Sequence, residues 1–266
     1  MKEEKTKGKN TAARKTAKRA GVVQFLDKLL AIDRIEDLSR NGLQVEGAAT
    51  IRRVGLAVDA CLASFEAAAL NDCEMLIVHH GMIWGGLRSL TGDVYRQVRF
   101  LIEASLNLYA VHLPLDLHPE LGNNARLAAA IGIKKPFPFG IYNGIPIGFE
   151  GTIVRPLRLD TLCRALEKVT GGTTLALPFG KKFNKRIAIV SGGASSIIGE
   201  AVAKHVDCFI TGEPNHAHYH LAREAGLNVI YGGHYHSETL GVKAVGKALE
   251  REFGIESVFL DIPTTV

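Results

Sequence analysis

The chain has 266 residues, 47% of them hydrophobic, which is enough to bury one large core or two smaller ones. Its apolar residues fall in short runs, none approaching the roughly 18 that a membrane helix needs, and the first residues lack the order of a secretory signal. The net charge of +5 is uneven: residues 1–19 hold eight Lys/Arg against Glu3 and Glu4, whereas the remainder carries 24 basic and 25 acidic side chains. A basic footprint for nucleic acid is therefore confined to residues 1–20, expected to be a disordered tail that makes at most weak, nonspecific contacts. Cys61, Cys73, Cys163 and Cys208 form no CxxC and sit among aliphatics. They are expected to be buried thiols in a reducing cytoplasm, not disulfides or zinc ligands.

After the tail, Val22, Phe25, Leu26, Leu29 and Leu30 recur at helical spacing. The pattern then predicts a strand at Val54–Val58, a helix at Leu62–Leu70, a strand at Met75–His79, a helix at Val94–Ala104, a strand at Leu108–His112 and a helix at Asn124–Ile131. Pro136, Pro138, Gly140, Gly144 and Pro146 mark a short linker over 135–146. Beyond it come strands at Gly148–Val154, Ile187–Val190, Cys208–Thr211, Val229–Gly232 and Val258–Asp261. The helices of this half are expected at Thr161–Val169, Ile197–Lys204, Ala217–Ala225 and Leu240–Phe253. Such alternation argues for an α/β fold with mostly parallel sheets flanked by helices.

The two halves read alike. RVGLAVDACL (53–62), DCEMLIVHHG (72–81) and NLYAVHLPLD (107–116) are answered by RIAIVSGGAS (186–195), DCFITGEPNH (207–216) and NVIYGGHYHSE (228–238). The expected organisation is two similar α/β domains, 21–134 and 147–266, with 234–266 free to pack on the first half. Two matched crevices could then face each other and build one site in the cleft between domains.

Residues able to bind metals close several apolar runs: His79 and His80 end LIVHH, His112 and Asp116 lie in AVHLPLD, and His234 and Glu238 lie in YGGHYHSE. In an α/β chain these run ends are strand carboxyl ends, where distant segments converge, and imidazoles with carboxylates suit a divalent cation. Each signal also has a plainer reading. His79-His80 could be packed under a loop, Asp116 could cap a turn, and Glu238 could be an acid favoured by a helix N-terminus. His234 and Glu238, four apart at a helix start, share one face, so Glu238 could bridge two cations. His112 and Asp116 span a rigid turn at Pro114, with His112 suited to orienting a ligand or moving a proton. Glu213 is a candidate acid/base, and His216, His218 and His220 either line the cavity or are surface side chains, only His216 and His220 sharing a helical face. Ser191, Gly192 and the residues after them could cradle a phosphate on backbone amides or form a plain tight turn. Trp84 could flank the site or simply pack.

The set NGLQVEG (41–47), VHHGMIW (78–84), VHLPLD (111–116), LGNNARLA (121–128), SGGASS, TGE (211–213), GGHYHSET (232–239) and LDIP (260–263) resembles the NIF-three-like family, whose members are often called GTP cyclohydrolase 1 type 2. The resemblance runs from about Leu38 to Pro263. It implies a dinuclear centre in which His79, Asp116 and Glu238 hold one metal and His80, His234 and Glu238 the other. It also implies a ring-like homohexamer. Some relatives carry a domain inserted between the halves, for which 135–146 leaves no room, and the lysine-rich tail is not a family feature. The metals could be zinc, iron, manganese or nickel. The expected activity is hydrolysis of a nucleotide ring or a phosphoester, with His112 or Glu213 moving a proton and His216, Trp84, Ser191 and Gly192 near the substrate. A metal-carrying or metal-inserting protein and a non-catalytic oligomeric scaffold are the competing readings.

Overall fold

The computed structural model describes residues 15–86 and 89–265. Residues 17–20, expected to belong to a disordered tail, are in regular structure. Ala17–Lys18 form β1, paired antiparallel with β3 (Thr50–Ile51), and Arg19–Leu30 form α1. Ala17 gives up exposure to that pairing, and Val22, Leu26 and Leu30 bury one stripe of α1 at intervals of four. Residues 1–14 of the expected tail lie outside the described residues.

Five strands form the first sheet, in the order β13 (Glu256–Phe259), β4 (Arg53–Asp59), β5 (Met75–His80), β6 (Asn107–Ala110) and β2 (Gly42–Val45). The first four run parallel and β2 is antiparallel to β6. Along β5, Met75 and Ile77 pack with α1 and α9 (His234–Phe253), while Leu76 and Val78 face α2 (Leu62–Leu70) and α3 (Gly92–Glu103). Burial on both faces is why these strands read as continuous aliphatic runs.

The second sheet has the order β7 (Phe137–Tyr142), β8 (Ile145–Arg158), β10 (Phe183–Val190), β11 (Cys208–Thr211), β12 (Asn228–Tyr231) and β9 (Leu175–Pro178). Its centre, β10–β11–β12, is parallel, and its margins are antiparallel. α5 (Asn123–Ala130) and α6 (Leu159–Thr170) cover one face, α7 (Ile198–Ala203) and α8 (Tyr219–Glu224) the other. The segment expected to be a linker, 135–146, instead supplies β7 and the turn into β8. Asn143 and Gly144 both have positive φ, the geometry of a two-residue hairpin, and Pro138 is tolerated because β7 is an edge strand.

The order of elements repeats: α1, β2, β4, α2, β5, α3, β6 is matched by α6, β9, β10, α7, β11, α8, β12. The helix and strand after each unit cross over to the other. α5 and β8 leave the first unit to cover and extend the second sheet, and α9 and β13 leave the second unit to cover and extend the first. The halves are thus interlocked, and α5 packs against α9 between them. Among the described residues, no helix is long and apolar enough to cross a membrane.

Candidate metal centre

Every expected ligand sits just beyond, or at, the carboxyl end of a parallel strand or on the helix that follows it. His79 and His80 end β5. His112 follows β6 and leads into α4 (Leu113–Asp116), which ends in Asp116. The turn expected around Pro114 is therefore helical, with the proline in the first turn, where its missing N–H is harmless. On the other side, Tyr231 ends β12 and Gly232-Gly233 lead into His234 and Glu238 on the first turns of α9. The histidine doublet does not splay to opposite sides, since its ring centroids are 4.7 Å apart.

Four imidazoles are anchored through Nδ1. His79 Nδ1 is 3.0 Å from the Val111 carbonyl oxygen and His80 Nδ1 is 2.8 Å from Asp59 Oδ1. His234 Nδ1 lies 3.2 Å from Glu213 Oε1, and His112 Nδ1 lies 3.1 Å from both oxygens of Asp37. An acceptor at Nδ1 keeps the proton there and leaves Nε2 free to ligate. Three of those Nε2 atoms surround Glu238: His79 at 3.6 Å from Oε1, His80 at 3.3 Å and His234 at 3.2 Å from Oε2. Asp116 Oδ2 completes the group, 3.4 Å from His79 Nε2.

The donor set fits a divalent cation. His79, Asp116 and Glu238 form one group of ligand atoms within 4.8 Å of one another, His80, His234 and Glu238 a second, and His79, His80 and His112 a third. Within this shell His79 Nε2 and Glu238 Oε2 are buried and lack a hydrogen-bond partner. Buried polar atoms are normally paired, and a cation in each of the first two groups would satisfy one of them. The electrostatics agree. Burial alone would depress the His79 imidazole, but the Asp116 and Glu238 carboxylates outweigh it and hold its pKa well above the ordinary value. Burial would likewise raise Glu238, yet the charges of His79 and His80 and the contact with His234 hold it well below. Contact with Glu238 lifts His234 to about 9 against the pull of burial. The same carboxylates that favour the protonated His79 and His234 imidazoles would favour a cation in their place, so metal and proton compete for these positions.

The five expected ligands come together, and the expected supporting residues divide. His112 lies at the edge of the cluster, its ring centroid 5.0 Å from that of His79 and 4.9 Å from that of Trp84. The Trp84 indole N–H donates to the Gly81 carbonyl oxygen at 2.8 Å, which fixes the ring edge-on to His112. Glu213 is engaged with His234. His216 is exposed, and among the described residues no hydrogen bond or ion pair joins it to the cluster. Ser191 and Gly192 do not offer the expected phosphate cradle, because their polar groups are already taken. The Ser191 N–H donates to Asn124 Oδ1 at 2.8 Å, its hydroxyl to Asp116 Oδ1 at 3.1 Å, and the Gly192 N–H to Ser237 Oγ at 3.0 Å.

Gly192 has its own reason to be glycine. Its φ is +66°, and a Cβ there would lie 2.1 Å from Glu238 Oε1. Sequence reasoning missed the anchors Asp37 and Asp59 and the asparagines Asn41, Asn123 and Asn124. Asp59 carried a usable signal, since it closes the run VGLAVD and pairs in register with His80. Asn123-Asn124 showed only as part of LGNNARLA.

Comparison with known proteins agrees with this picture. The family model for Duf34/NIF3 (NGG1p interacting factor 3) matches residues 17–265. A curated relative from Archaeoglobus fulgidus, named GTP cyclohydrolase 1 type 2 homolog, is 44% identical over 93% of this chain and 99% of its own length. A relative of the same name from Deinococcus radiodurans is 42% identical over 91% and 92%. A solved protein of Thermus thermophilus superposes with a TM-score of 0.87 at 39% identity, covering 94% of this chain and all of that one. HcgD from Methanocaldococcus jannaschii, at 24% identity and a TM-score of 0.82, shares the fold. The chain belongs to the Duf34/NIF3 family.

Proposed function

We propose that this member of the Duf34/NIF3 family binds two divalent cations and uses them in hydrolysis of a nucleotide ring or a phosphoester, in line with the name of its relatives. His79, Asp116 and Glu238 hold one cation, and His80, His234 and Glu238 the other. The observation that carries this reading is the placement of Glu238, one oxygen facing His79 and the other facing His80 and His234. When bound, a bridged pair of this kind supplies Lewis acidity and a water acidic enough to ionise near neutral pH. The chain's own residues do the rest. His112, held through Nδ1 by Asp37 with its ring beside those of His79 and His80, is the group that takes up or gives a proton, and Trp84 packs edge-on against it. Glu213 keeps the proton of His234 on Nδ1 and is the second candidate for proton transfer. The functional unit is a homo-oligomer, expected to be a hexamer.

The test is elemental analysis of the purified chain, followed by a substrate screen against nucleotides after reconstitution with zinc, iron, manganese or nickel. Glu238→Ala should lose both metals while keeping its fold by circular dichroism; full occupancy in that variant contradicts the bridge. Product formed by wild type but not by His80→Ala supports the hydrolase. Metals that leave readily without turnover identify a carrier. A complex that falls apart on chelation without any catalysis identifies a scaffold.

A further inference from the structure

Asp116 is held from three elements, and the two oxygens of its carboxylate have different neighbours. Oδ1 accepts from Asn123 Nδ2 at 2.8 Å and from the Ser191 hydroxyl at 3.1 Å. Oδ2 faces His79 Nε2. Asn123 is completely buried at the start of α5, and its own Oδ1 accepts the Gly241 N–H of α9 at 2.7 Å. Gly241 lies three residues beyond Glu238. A Cβ at this position would meet Asn123 Oδ1 at 2.8 Å and Leu115 Cγ at 2.9 Å, so the missing side chain is what lets the amide approach. Ser191 is fixed in turn by Asn124.

We infer that Asn123 and Ser191 are positioning residues that make Asp116 a one-oxygen ligand through Oδ2, and that Asn123 sets the distance between this ligand and the helix bearing Glu238. The inference rests on the two-cation reading above and goes beyond it by separating the two positions. The Asp116 position is preorganised by buried neutral donors. The other relies on His80 and His234, whose side chains are 20% and 29% exposed. Groups that hold a ligand from behind typically change metal affinity about 10- to 100-fold when removed.

The experiment is calorimetric titration of the metal-stripped full chain with zinc alone, alongside unfolding midpoints for every variant. Wild type should show two binding events. Ser191→Ala and Asn123→Ala should each weaken one event about 10- to 100-fold, the same event that Asp116→Asn weakens, and leave the event lost in His234→Ala within a few-fold. Ser191→Thr, which keeps the hydroxyl, should restore it, and adding Ser191→Ala to Asp116→Asn should cost little more. A merely structural role would lower the unfolding midpoint and weaken both events together, and that result overturns the inference, as does wild-type affinity in both alanine variants. Should Asn123→Ala fail to fold, Ser191→Ala decides alone. A wild type without two binding events refutes the two-cation reading itself, a separate failure.

Discussion

Replacing Gly192 by alanine isolates how tightly the turn after β10 is fitted to the bridging glutamate. The new methyl group would sit 2.1 Å from Glu238 Oε1, more than 1 Å inside ordinary contact. The backbone cannot retreat easily. The Gly192 N–H is bonded to Ser237 Oγ, and its carbonyl oxygen accepts from Gly212 N at 2.9 Å, Ala194 N at 3.1 Å and Thr211 Oγ1 at 3.2 Å. Glu238 must therefore move, out of reach of His79 or of His80 and His234. Left-handed backbone costs an alanine about 1–2 kcal/mol, and overpacking a filled interior adds about 1–3 kcal/mol, so the loss is about 2–5 kcal/mol. At position 199 the same substitution meets open space on the exposed face of α7, where φ is not left-handed. There it should be neutral or stabilise by up to about 1 kcal/mol. Urea unfolding of both variants, with metal content measured on the same samples, gives the comparison. A Gly192→Ala protein with wild-type stability and full metal content would refute the claim that this turn is shaped around Glu238.

The acid side of the stability curve should report Asp37. Burial would raise its pKa, but the hydrogen bond and charge of His112, with donors from Ser39 and Asn41, bring it down to about 2. A depressed folded-state pKa stabilises above the unfolded value near 4 and loses that contribution as pH falls toward 2. The stability gap between wild type and Asp37→Asn should therefore shrink by about 2 kcal/mol between about pH 5 and pH 2, and a gap that stays constant rejects the assignment. The buried thiols should be inert. Burial pushes Cys73 up to about 12 and holds Cys208 well above the usual thiol range. Iodoacetamide at about pH 8 should modify neither in the native protein and both after guanidinium unfolding, as read by peptide mass spectrometry; native alkylation at either position would contradict their burial.

Which parts of this architecture could be read from the chain depends on how far each interaction reaches. The parallel strands were visible because burial on both faces makes them uniformly aliphatic, and His79, His80, His112 and His234 stood out where those runs stop. The hairpin β7–β8 was missed because Pro138, Gly140 and Pro146 look like a linker, although Asn143-Gly144 is a hairpin turn by local geometry alone. The anchors are a different matter. Asp59 reaches His80 through parallel register, Asp37 reaches His112 across 75 positions, and Asn123 reaches Gly241 across 118. No local pattern encodes such pairings.

The repeat in the sequence exposed two similar units but not the exchange of α5–β8 and α9–β13 between them. That exchange builds the site. Had each unit kept its last helix and strand, Glu238 and His234 would lie over their own sheet, remote from the histidine doublet. Because α9 crosses to the first sheet and α5 to the second, the two helices pack together, and Asp116, Asn123 and Glu238 meet where they touch. A cation held by this cluster would therefore tie the two halves together across the seam where α5 and α9 pack.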